Sequence, residues 1–265
     1  MRRIFQTIFF GTASMLAAAA ALAQGTPPPA PPPPLTVMEQ SSEYRFQLDL
    51  HVGDAALAKM LPAGWESAMA TQGPAKDANL RLIFVDAVNI VGPDNKPLGK
   101  GTGRIAMLAA PVKKSDGSAT GQMILGGISE DANVPDGYGV YLKAASAKMI
   151  RSASTANGVA METDDWDFAA AGGEHFQLHL KFTPGAANKG GGDTRFYNPA
   201  DPSQFLIART QQVTDITRNV TTTPPDRVLE FSLKAGGGKY ADLLEGAKPL
   251  SWDSQPIYVR TVGTP

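Results

Sequence analysis

From Glu43 the chain alternates with a period of two. Tyr44, Phe46, Leu48, Leu50 and Val52 stand against Glu43, Arg45, Gln47, Asp49 and His51. Such alternation predicts a β-strand with one face in a core and the other in water. Asp54 then offers a cap for a short helix over residues 55–61, stopped by Pro62 and Gly64. Strand-like runs return at 80–91, 104–112 and 121–129, joined by the turn formers Gly92-Pro93-Asp94-Asn95 and Ser115-Asp116-Gly117. The second half repeats the habit at 158–168, 175–182, 205–220, 227–234 and 257–262, with one more short helix at 240–245. Between these runs, residues 185–193 are glycine-rich and polar, which reads as a mobile loop. Many strands at short spacing with few helices predict a mainly β fold, a large antiparallel β-barrel or closed sandwich.

The N-terminus follows a different pattern. Arg2 and Arg3 precede an uncharged run from Ile4 to Leu22, and Ala21-Leu22-Ala23 forms a small-x-small cleavage site before Gln24. This is the layout of a removable secretory signal over residues 1–23, which predicts a periplasmic or secreted protein. Residues 27–34 are seven prolines and one alanine, a stiff polyproline spacer within a linker over 24–42. Residues 43–265 are then expected to form a single domain. Past the signal, no apolar stretch reaches the length that spans a bilayer.

Composition narrows the chemistry. With no cysteine, there is no disulfide, no thiolate nucleophile and no zinc site built on sulfur. The 24 basic and 25 acidic residues leave no general field for polyanions, so nucleic acid is not an expected partner. His175 and His179 have helical metal-ligand spacing, but Phe176, Leu178, Leu180 and Phe182 alternate around them. On a strand the two histidines lie about 13 Å apart, too far to share a metal. Gly99-Lys100-Gly101-Thr102-Gly103 lacks the ending of a phosphate-binding loop and is read as a hairpin. Lys143 follows Tyr141 and Leu142 and precedes Ala144 and Ala145, so its amine either snorkels to water or is desolvated in a pocket.

The order of these segments resembles the acetoacetate decarboxylase family. The strand at 44–52, the helix ending in Leu61-Pro62, and Leu108-Ala109-Ala110-Pro111-Val112 are similar to its early segments. Tyr141-Leu142-Lys143-Ala144 stands where the family carries Tyr-Pro-Lys-Lys. Gln212-Val213-Thr214-Asp215-Ile216-Thr217 and Arg227-Val228-Leu229-Glu230-Phe231 resemble its late strands. The resemblance implies a barrel with an internal cavity and makes Lys143 the counterpart of a lysine that forms a Schiff base with a ketone. Tyr141, Ile83, Ile105 and Arg45 would then border the substrate. Ile83 and Ile105 stand where the family has carboxylates, Glu43 or Arg45 where it has an orienting arginine, and Ala144 where it has a second lysine.

Two functional classes follow for an exported barrel, with no cofactor or metal expected. One is Schiff-base chemistry of Lys143 on a small keto acid or ketone, a decarboxylase-like lyase. The other is a non-catalytic barrel that binds a small apolar or amphipathic ligand, which the isoleucines favour. A tethered envelope interaction module would instead expose an apolar patch. In the first two classes the partner is a small molecule, and homo-oligomerisation is left open.

Overall fold

The alternation at Glu43 belongs to a longer strand than its pattern predicts. A computed structural model describes residues 32–134, 137–221 and 226–265; the expected signal and most of the proline run lie outside them. The strands of the first half are β1 (Thr36–His51), β2 (Trp65–Ser67), β3 (Leu80–Val91), β4 (Gly103–Lys114) and β5 (Thr120–Ser129), with helix α1 (Asp54–Ala58) after β1. They are followed by β6 (Leu142–Ala156), β7 (Val159–Ala170), β8 (His175–Phe182), β9 (Asn188–Tyr197), β10 (Phe205–Asn219) and β11 (Val228–Gly236). Helix α2 (Ala241–Leu244) and β12 (Lys248–Thr264) complete the chain.

Seven of these strands close a ring in the order β1, β3, β4, β5, β9, β10, β12 and back to β1. The closing seam is narrow: β5 meets β9 in parallel, through Gln122 opposite Phe196 and Met123 opposite Tyr197. The other ring pairings are antiparallel. A second layer, ordered β11, β8, β7, β6, joins the ring where Ile128 and Ser129 pair in parallel with Leu142 and Lys143. The sequence-based expectation of a mainly β barrel or sandwich is met by both at once.

The apolar side of β1 is the seam between ring and second layer. Phe46, Leu48 and Leu50 are fully buried with Phe84, Trp166, Phe168 and Phe182. Tyr44 stacks on Trp166 at 6.1 Å, and Phe84 lies 5.7 Å from the same indole. Each such pair contributes about 0.5–1.5 kcal/mol beyond the area it buries. A smaller apolar cluster, including Val85, Ala109, Ile124, Phe196 and Val262, lies on the other face of the ring strands.

Three local expectations need correction. Residues 188–193 are not a loop but the first part of β9, paired with Thr214 back to Arg209. Glycine is what permits it: a Cβ on Gly191 would lie 2.3 Å from the carbonyl oxygen of Thr210. Asp54 does not cap α1; Gly53 holds that position, and Asp54 sits in the first turn accepting a 3.0 Å bond from Asn79. The helix also ends at Ala58, short of Leu61.

Tyr240, fully buried just before α2, secures β5 from behind. Its hydroxyl accepts from the Gly127 N–H at 2.6 Å and donates to the Gly127 carbonyl at 3.3 Å. Burial pushes its ionisation up to about 12, so it remains a neutral donor and acceptor. Tyr240→Phe is expected to lose about 1–3 kcal/mol of stability in urea titration, because a buried N–H is left without a partner. An unchanged midpoint would mean that Gly127 finds another partner.

Candidate functional site

The polar side of β1 faces the inside of the ring and not water, which corrects the sequence expectation for that face. Glu43, Arg45 and Asp49 are each no more than 5% exposed. Inside a closed barrel the second face of a strand meets other strands, so alternation alone does not distinguish a wet face from a buried polar one.

At the Arg45–Asp49 level this face lines a chamber of about 420 Å³. Arg81 and Ile83 come from β3, Thr210 and Gln212 from β10, and Asp253, Gln255 and Tyr258 from β12. Strand register sets Arg45 opposite Gln255 and Gln47 opposite Asp253. Asp49 Oδ1 accepts from Gln47 Nε2 at 3.0 Å and lies 3.3 Å from Arg81 Nε. Asp253 Oδ1 accepts from Ser251 Oγ at 2.6 Å. The Arg45 guanidinium lies 3.6 Å over the Tyr258 ring and pairs with Glu43.

Ionisation states follow from these partners. Burial pushes the Asp253 carboxyl up to about 7, and the nearby Asp49 charge adds to the effect. Burial also raises Asp49, against the pull of Arg81. Glu43 behaves oppposite to both: burial opposes its charge, but Arg45 and Arg260 outweigh burial and hold it at about 2.

Above the chamber along β1, a ladder of charges fills the ring. Arg260 Nη2 lies 2.7 Å from Glu39 and its Nε 3.3 Å from Glu43, which in turn pairs with Arg45. Ser41 Oγ donates to Glu43 at 2.5 Å. Beyond the ladder, Glu39 borders a second cavity of about 480 Å³, which Ile105, Ser129 and Lys143 also line.

The residues singled out from the sequence are therefore divided. Arg45 and Ile83 line the chamber, while Ile105 and Lys143 line the second cavity. Tyr141 is 5% exposed and packs in the apolar cluster with Ile83 and Ile105. Lys143 is exposed, and its ammonium donates to the Glu130 carbonyl. Its side chain is therefore at the surface and not enclosed in the barrel, unlike the desolvated pocket that the resemblance implies. Sequence reasoning did not single out Asp49, Arg81, Asp253, Gln255 or Tyr258. One signal was present: the polar positions of β1 from 43 to 49 hold arginine and acids but no lysine, the cation preferred on solvated faces.

His175 and His179 lie on β8, as the alternation predicts, with their side chains outward. His179 Nδ1 is 2.7 Å from Asp165 and Nε2 3.3 Å from Glu230, and the Asp165 hydrogen bond raises its pKa.

No protein-family model matches the chain, and no curated protein matches it. Solved structures do. The enduracididine biosynthesis enzyme MppR complexed with pyruvate is similar over 88% of this chain and 89% of its own, at 12% identity and a TM-score of 0.53. An acetoacetate decarboxylase-like enzyme from Sphingomonas wittichii RW1 is similar over 86% of this chain and 91% of its own, at 13% identity and a TM-score of 0.50. The fold is acetoacetate decarboxylase-like. At such identities the likeness is one of fold, and what the decarboxylase-like barrel does must be argued from its own chamber.

Proposed function

We propose that this decarboxylase-like barrel is an exported protein that takes a small polar organic molecule into the chamber between β1, β3, β10 and β12. The observation that carries the reading is a 420 Å³ space inside a closed ring, walled by arginine, aspartate and glutamine side chains. Buried polar groups of this kind destabilise a fold unless they are paired, and they are the usual means of orienting a ligand. The wall does not suit the apolar ligand expected from Ile83 and Ile105, because only Ile83 of the two reaches it.

A thermal-shift panel of small amines, polyols and keto acids tests the reading. At a hundredfold excess over Kd a ligand adds about 2.7 kcal/mol, a rise of roughly 5–10 °C for a chain of this size. Thr210→Trp, at a half-buried chamber position, should abolish the shift. No shift with any class would sink the proposal. Export predicts a mature N-terminus at Gln24, readable by intact mass; retention of residues 1–23 in secreted material would refute it.

A second reading keeps imine chemistry at Lys143 on a small ketone. It is favoured by one observation, the place of Lys143 on the 480 Å³ cavity beside Ile105. Borohydride reduction with acetone or pyruvate should then leave an adduct mass on Lys143, and an unmodified lysine ends this reading.

A further inference from the structure

We propose that the molecule taken by the chamber carries a protonated amine, held between the Asp253 carboxylate and the side-chain oxygen of Gln255. The inference rests on the chamber reading above and adds the ligand's chemical class.

Arg45 is committed to Glu43 and to the Tyr258 ring. Arg81 Nε and Gln47 Nε2 both converge on Asp49 Oδ1. On β1 and β3 the Nε of each arginine and Gln47 Nε2 are thus already directed at a carboxylate of the wall. Two acceptors on β12 are left short. Gln255 is only 4% exposed, yet its Oε1 has no hydrogen-bond partner. Asp253 is 7% exposed and accepts from Ser251, but among the described residues no arginine or lysine lies within ion-pair distance of it.

The interior charges tell the same story. Along β1, Glu39 and Glu43 are matched by Arg45 and Arg260, and Asp49 is matched by Arg81. Asp253 is the chamber carboxylate left without its own cation. Asp253 and Gln255 stand two residues apart on one strand, which puts their Cα atoms about 7 Å apart, a gap that one ammonium between the side-chain tips can bridge. An ammonium offers three donors and no acceptor, so it fits these two under-partnered acceptors. A carboxylate ligand would meet Asp49 and Asp253 as like charges, and would have to share Arg45 or Arg81 with the acid each already pairs with.

Isothermal titration of the purified protein at pH 8 tests this with three probes: putrescine, tetramethylammonium and succinate. Putrescine should bind at least about 10-fold more tightly than tetramethylammonium, which has the charge without the donors, and than succinate. Asp253→Asn and Gln255→Leu should each weaken putrescine by about 10-fold or more, while Glu230→Gln on the outer face of β11 should not. Tighter binding of succinate or tetramethylammonium, or putrescine affinity unchanged in Asp253→Asn, overturns the inference. In those cases loss of the tighter probe's binding in Thr210→Trp would still support the chamber. No binding of any probe overturns the inference, and only a blank thermal-shift panel as well overturns the chamber reading.

Discussion

Replacing Arg260 with methionine is expected to cost about 3–5 kcal/mol, the range for removing one partner of a buried ion pair. Its guanidinium lies between Glu39 and Glu43, and both acids are at most 4% exposed. Methionine fills most of the volume but leaves one cation, Arg45, for two carboxylates. The loss is therefore electrostatic and depends on pH. Without Arg260 the Glu43 carboxyl rises from about 2, so it can take a proton in mild acid and relieve the excess charge. Urea midpoints for Arg260→Met should lie far below wild type at pH 8 and closer to it at pH 5. Adding Glu43→Gln should recover part of the loss at pH 8. Equal midpoints for wild type and Arg260→Met at pH 8 would show that the ladder adds no stability.

The same ladder shows what the sequence could convey. Period-two alternation places β3, β4 and β8 close to their observed bounds, because side-chain direction on a strand is a local property. Ring closure is not local. It depends on Gln122 and Met123 meeting Phe196 and Tyr197, and no pattern within either segment encodes that meeting. Once the ring closes, Arg45 and Asp49 become interior, although beside an open sheet the same residues would be wet. Glycines 190–192 mislead for a related reason. Composition marks them as flexible, yet the missing side chain of Gly191 lets β9 approach β10. The resemblance to acetoacetate decarboxylases reached the fold through the order of segments. It pointed to Arg45 and Ile83 in the chamber and to Lys143 and Ile105 at the second cavity, but not to Asp253 and Gln255.

Stability is expected to fall by about 2–4 kcal/mol as pH rises from 5 to 8, with each responsible carboxyl contributing up to about 1.4 kcal/mol per unit. Asp253 and Asp164 set the sign. Burial pushes Asp253 up to about 7, with Asp49 and Asp215 adding to it while Ser251 and Arg81 oppose. Asp164, fully buried between the layers and bonded to the Tyr44 hydroxyl, is pushed up to about 6 by burial, with Glu162 and Asp165 adding and Tyr44 and Arg151 opposing. In the unfolded chain both titrate near 3.8. Between that value and the folded one the native state holds protons that the unfolded state has released, so each rise in pH favours unfolding. Glu43 works in the opposite direction: its stabilisation is present above 4.5 and fades only as pH falls towards 2, outside this window. His179 has the same sign as the two aspartates, but it is partly exposed on the outer face and its share is small. Asp253→Asn separates these contributions, because the amide keeps the shape and can still accept from Ser251. Its stability curve should be flatter from pH 5 to 8 and should lie above wild type at pH 8. A wild-type curve that is level or rising across this window would mean that Asp253 is ionised at neutral pH without penalty, and that the interior already holds a cation for it.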